Sequence, residues 1–205
     1  MEKFVIDTNF FFNLEIKSGF GDNPKEICFS LSRLAKDLKA RGRAEFFLPP
    51  RVRDEFMTFV KGDEAWVRDI FSILTIKSPN IEKIQFPVEV FYKLVDEIRE
   101  RSYRGLKIAE EMTDQSAKNI MGKGELDKIE YQKQLGITIT KLRDRYRQAT
   151  RVNFLDSVAD LDLIVLCREL DGFLVSSDEG VVRWGRIFGV KEIPPQDLKR
   201  RLEAL

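Results

Sequence analysis

Hydrophobic positions along the chain follow two periods, and the period predicts where strands and helices lie. Lys3 to Ile6 (KFVI) is a short apolar run and predicts a first strand. Pro24 to Arg41 places Ile27, Leu31, Leu34, Ala35 and Leu38 on one helical face. Glu45 to Leu48 predicts a second strand, stopped by Pro49-Pro50, and a helix over Arg51 to Val60 starts just after the prolines. Ile70 to Ile76 reads as a third strand or a helix–strand junction. From Asn153 to Gly180 the pattern is a helix, a tight turn and a strand. Asn153 would cap the helix, Asp156 would sit in its first turn, Gly172 would end it, and Phe173-Leu174-Val175 would be a short buried strand. Gly180 to Phe188 then reads as a short helix, Val190 to Ile193 as a last strand, and Pro194-Pro195 as the start of a terminal helix. Strand–helix alternation at both ends predicts an α/β fold with a mainly parallel sheet covered by helices.

The period changes in the middle. Two long helical segments, about Val88 to Ile120 and Glu125 to Thr150, are separated by Met121-Gly-Lys-Gly124. The first carries Phe91, Leu94, Val95 and Ile98, then Leu106, Ala109 and Met112; the second carries Ile139, Leu142, Tyr146 and Ala149. Spacings of three and four predict an antiparallel helical hairpin. The expected organisation is therefore a body made of 1–86 and 152–205 with residues 87–151 inserted as a protruding hairpin.

Composition narrows the chemistry. With 205 residues, 34% charged and 43% hydrophobic, the chain is long enough for a core and ordinary for a globular protein. The net charge of +1 is uninformative, but its distribution is not. Lys133 to Arg151 holds six bases (Lys133, Lys141, Arg143, Arg145, Arg147, Arg151) and one acid, Asp144, whereas Val152 to Glu179 holds one base and seven acids. A phosphate-gripping surface beside a cation site would have this pattern. There is no histidine, which excludes Ser-His-Asp and Cys-His nucleophile systems and histidine-containing zinc sites. Cys28 and Cys167 each fall inside a predicted helix and read as core residues. The start lacks the apolar run of a signal peptide, and no segment reaches the roughly 18 apolar residues of a membrane span. The expectation is a cytoplasmic protein.

The remaining candidates are carboxylates. Asp7 follows the first strand, where open α/β sheets place their ligands, although Asp7-Thr8-Asn9 is also good capping chemistry. A phospho-aspartate phosphatase would want a second Asp at position 9, which is Asn. Glu55 lies one turn before Phe59 and could point over the strand end toward Asp7. At about 100° per residue, Asp156 and Asp160 share a sector with Leu163, Ile164 and Cys167. Two like charges there are costly unless a cation sits between them; otherwise Asp156 caps and Asp160 lies at a wet edge. Asp162 and Glu169 point the other way and read as a solvated face. Asp178 and Glu179 follow the Phe173–Val175 strand. Arg143, Arg147 and Arg151 form a basic stripe, either a solvated face or a phosphate contact.

This constellation, Asp7, Glu55, Asp156, Asp160 and Asp178, resembles that of PIN-domain nucleases. The run DSVADLDLIVLCRELDGFLVSSDEGVVRWG, the PPRVRDEF segment and the central hairpin resemble one family in particular, the protein-only, RNA-free ribonuclease P of the Aquifex type, once labelled RNA ligase partner proteins. The likeness covers nearly the whole chain. It implies a three-layer α/β/α PIN body with a helical spike, and removal of the 5′ leader of precursor tRNA with Mg²⁺ or Mn²⁺. It also implies dimers assembling through the spike into a larger homo-oligomer, with no RNA subunit and no membrane. Asp7, Asp156, Asp160 and Asp178 match the family's catalytic, metal-binding acids, with Glu55 and Glu179 as further metal candidates. Arg143 and Arg147 fall where the family holds substrate, with Lys141 and Arg151 beside them. Two rivals are a toxin-like PIN ribonuclease, which the long hairpin argues against, and a non-catalytic RNA-binding assembly protein, which incomplete acids would favour.

Overall fold

The computed structural model describes residues 1–61, 64–82, 84–121, 124, 126–151, 154–155 and 157–205. The chain divides into two compact units, residues 1–87 with 155–205, and residues 88–154.

The first unit is built on a parallel sheet. Its strands are β1 (Glu2–Ile6), β2 (Ala44–Leu48), β3 (Leu74–Ile76), β4 (Phe173–Val175) and β5 (Lys191–Glu192), in the spatial order β3-β2-β1-β4-β5. The order runs outward both ways from β1, so β1 and β4 diverge at a topological switch point. Phe4, Val5 and Ile6 are fully buried, so β1 is covered on both faces, as parallel strands require. The covering helices are α1 (Asn9–Phe12), α2 (Pro24–Ala40), α3 (Pro50–Thr58), α4 (Ala65–Ile73), α7 (Val158–Leu170), α8 (Glu179–Ile187) and α9 (Pro195–Glu203), the hairpin helices α5 and α6 coming between α4 and α7. Helix α2 packs on α4 and β2, and α7 packs on β1, β4, α3 and α8. Asn23 caps α2, its side-chain oxygen accepting from Glu26 N–H at 3.0 Å. The segment 70–76 is a helix–strand junction, α4 running into β3. Cys28 and Cys167 are free, buried thiols, both pushed up in pKa by burial.

Helix α7 begins later than the Asn153 cap predicts. It starts at Val158, capped by Ser157, whose hydroxyl accepts from Asp160 N–H at 3.0 Å. Ser-x-x-Asp is itself a capping signature and it prevails. The other end also differs. Asp171, not Gly172, takes the left-handed turn, with φ 47°, and Gly172 N–H closes back on Cys167 O at 3.0 Å. Gly172 serves a different need: a Cβ there would lie 2.8 Å from the Lys3 carbonyl oxygen, so the glycine lets the turn pass against β1.

The second unit is an antiparallel pair, α5 (Glu89–Ile120) and α6 (Lys128–Arg151). The ring of Tyr146 lies over Gly105, where a Cβ would meet it at 2.5 Å, and Arg145 pairs with Glu111 at 2.6 Å. The buried seam matches the apolar periodicity only in part, at Met112, which is buried, and at Leu94 and Ala109, which are half-buried. On α5 it runs through Val90, Glu97, Gly105 and Met112. Phe91, Val95, Ile98 and Leu106, expected inside, are each at least half exposed. On α6, Leu142 and Ala149 are half-buried, as expected of the seam, while Tyr146 is exposed except where it crosses Gly105.

Candidate active site

Asp7 is the first residue after β1, and its N–H donates to Val175 O at 3.0 Å, fixing it between the ends of β1 and β4. The residue is 3% exposed. Its Oδ2 accepts from Ser176 Oγ at 2.6 Å and Asn9 Nδ2 at 3.2 Å, and its Oδ1 accepts from Thr8 Oγ1 at 3.2 Å. Burial pushes the Asp7 carboxyl above its ordinary pKa; the Ser176 hydroxyl and the Asn9 N–H pull it back, and the Glu55 charge pushes it up again. Glu55, exposed on α3, is therefore close enough to act on Asp7.

Ser176 joins two of the acids. Its hydroxyl donates to Asp7 and accepts from Asp178 N–H at 3.0 Å. Asp178 is exposed and caps α8, Oδ1 accepting from Val181 N–H at 2.9 Å. Glu179 follows in the first turn of α8, exposed, where the helix dipole favours an anion. Asp160 stands half-buried in the first turn of α7. Both Ser176 and Asn13, whose Nδ2 donates to Ser177 Oγ at 3.4 Å, went unnoticed in the sequence. A Ser two residues before an Asp at a strand end is a turn signature that could have revealed Ser176.

Asp162 and Glu169 are not a solvated face. Asp162 is buried and its Oδ2 accepts from Arg51 Nη1 at 2.7 Å; Glu169 accepts from Lys77 Nζ at 2.6 Å and Asn80 N–H at 2.7 Å. The wheel angle was right, but α3 and the segment after β3 cover that side. The Arg51–Asp162 pair ties α3, which carries Glu55, to α7, which carries Asp160.

The carboxyl ends of β1 and β4, the second turn of α3 and the first turns of α7 and α8 thus supply oxygen donors of the kind that hard divalent cations prefer. Among the described residues, no group of three or more Asp, Glu, His or Cys side chains is arranged to hold a metal ion. Asp156 and the Arg151 side chain lie outside the described residues. In the second unit, Lys141, Arg143 and Arg147 are exposed on α6.

A family model described as "PINc domain ribonuclease" matches residues 3–205. Proteins named RNA-free ribonuclease P are similar over the same span. That of Thermococcus onnurineus is 37% identical over 203 residues, covering 99% of this chain and 94% of its own. That of Nitrosococcus oceani is 37% identical over 207 residues, covering 100% and 96%. That of Pyrococcus horikoshii is 36% identical over 205 residues, covering 100% and 93%.

The chain belongs to the RNA-free ribonuclease P family. It is by that membership an endoribonuclease of the PIN class, and the parallel five-stranded sheet is the PIN-like α/β arrangement. PIN nucleases in general depend on divalent metal, and the oxygen-only donor set suits such an ion.

Proposed function

We propose that this RNA-free ribonuclease P removes the 5′ leader of precursor tRNA by hydrolysis. The observation that carries the reading is Asp7: a buried carboxylate at the sheet's switch point, linked through Ser176 to Asp178 and coupled to the charge of Glu55. Asp7, Asp156, Asp160 and Asp178 would hold Mg²⁺ or Mn²⁺, with Glu55 and Glu179 in support. Such an ion lowers the pKa of a bound water and offsets charge on the scissile phosphate. Thr8, Asn9 and Ser176 orient the Asp7 oxygens, and the absence of histidine leaves proton handling to water and carboxylates. The products would carry a 5′-phosphate and a 3′-hydroxyl, with no need for a 2′-hydroxyl nucleophile.

The hairpin supports two further parts of the reading. Exposed Arg143 and Arg147, with Lys141 and Arg151 beside them, would grip tRNA phosphates. The apolar stripe Val95, Ile98 and Leu106, exposed on α5, would join copies of the chain into dimers and larger assemblies. No RNA subunit is required. The test is cleavage of a precursor tRNA with Mg²⁺ and with EDTA, followed by analysis of the product ends. Metal-dependent cutting that leaves a 5′-phosphate supports the proposal; a 2′,3′-cyclic phosphate product would refute it.

A further inference from the structure

An aromatic ladder runs outward from the core between α1 and the end of α3. Phe56 is fully buried on α3. Phe12, at the end of α1, lies edge-on to it at 4.9 Å between ring centroids. Phe59 then stacks on Phe12 at 4.7 Å, with the planes 27° apart. Phe59 is 56% exposed, and among the described residues no ring other than Phe12 stacks on it. Such a ring, at a helix end, is backed by a second ring and more than half exposed. It is the arrangement on which an unpaired base stacks.

The surroundings select the partner. The ladder lines an open groove of about 500 Å³ with Lys25 and Lys61 on its rim, both exposed and neither ion-paired with a described residue. Glu64, the acid in the lining, already accepts from Trp66 Nε1. Cations beside a stacking ring suit a single nucleic-acid strand, the charges taking phosphates and the ring taking a base. The position selects which strand. Phe59 is four residues from Glu55, whose charge acts on Asp7, and Phe12 is five residues beyond Asp7. Phe59 therefore lies about one helical turn from Glu55 along α3. Bases of a paired acceptor stem are stacked within their own helix, which leaves the leader base and the unpaired 3′ end, and of these only the leader base is joined to the scissile phosphate.

We infer that Phe59, backed by Phe12 and flanked by Lys25 and Lys61, is the stacking platform for the unpaired leader base next to the cut. This rests on the precursor-tRNA reading above and names residues that would position that substrate.

The experiment uses full-length wild type, Phe59→Ala and Phe59→Trp with precursor tRNA. The leader base adjoining the cut is intact, abasic or 2-aminopurine. Binding is read in Ca²⁺ by fluorescence quenching, and cleavage in Mg²⁺ under single-turnover conditions. The expected result is quenching by wild type and Phe59→Trp and none by Phe59→Ala. Half-saturation should rise about tenfold for Phe59→Ala on the intact leader, with a smaller change in the maximal rate. The abasic leader should weaken wild type to the same level and weaken Phe59→Ala no further. Equal loss on intact and abasic leaders would overturn the platform, as would an effect that follows trimming of the tRNA 3′ end. So would a change in oligomer mass with RNA binding intact, which would make the patch a protein interface. Quenching without cutting would keep the platform and sink the ribonuclease P reading; cutting without quenching would do the reverse.

Discussion

Asp7 shows how a single residue can serve a site at the expense of the fold. Its pKa in the folded protein lies above the ordinary value of 3.8, because burial disfavours the charge. Between the unfolded and folded pKa values the native state holds more protons, so stability falls as pH rises through that window. Asp7→Asn removes the penalty. In metal-free protein, the melting temperature of the variant relative to wild type should move in the variant's favour as pH rises from below 4 to 7. A difference independent of pH would show that the Asp7 carboxyl is not destabilised. Asp7 at a strand end was legible in the sequence, because a short apolar run has a visible end. Its hydrogen-bond partner Ser176 was not, because the two meet only when β4 pairs with β1, 169 residues away in sequence.

At the scale of elements, α7 teaches the most. Its sequence carries two capping signals, Asn153, which lies outside the described residues, and Ser157-x-x-Asp160, which holds the helix at Val158. Asp162 looked solvated because its partner, Arg51, lies 111 residues away on α3. Arg51→Ala would leave Asp162 buried and unpaired, costing about 1 kcal/mol, and it would loosen α3 against α7. The expected outcome is a modest fall in denaturation midpoint with a larger fractional fall in cleavage rate; an unchanged rate would remove Arg51 from any positioning role. The hairpin seam is only partly legible because α5 carries two apolar registers. The packed one includes Glu97 and Gly105, residues a hydrophobic count passes over, and Gly105 earns its place by admitting the Tyr146 ring. The α6 stripe makes a separate prediction. Arg143→Ala with Arg147→Ala should weaken tRNA binding and lower the slope of log affinity against log salt by about 1 to 2. An unchanged slope would make the stripe a solvated surface.

For the whole molecule, the strand–helix alternation was enough to predict a parallel α/β sheet, and the strand order then explains why Asp7 and Asp178, linked through Ser176, meet at the β1–β4 switch point. What apolar residues on α5 do beyond the hairpin was not legible, since periodicity cannot tell a seam within one chain from a seam between two. If they join copies, Leu106→Glu should shift the protein to smaller species by light scattering while the far-ultraviolet circular dichroism stays unchanged; an unaltered mass would free that face of any assembly role.

In the proposed reaction, the carboxylates around Asp7 cut precursor tRNA at its mature 5′ end. The most direct measurement is a cleavage assay on a precursor tRNA with a labelled leader, comparing wild type with Asp160→Asn and mapping the cut to the nucleotide. Wild type should make a single cut at the mature 5′ end, and the variant, still folded and still binding the tRNA, should make none. Full activity in Asp160→Asn, or cutting elsewhere in the RNA by wild type, would contradict that reaction.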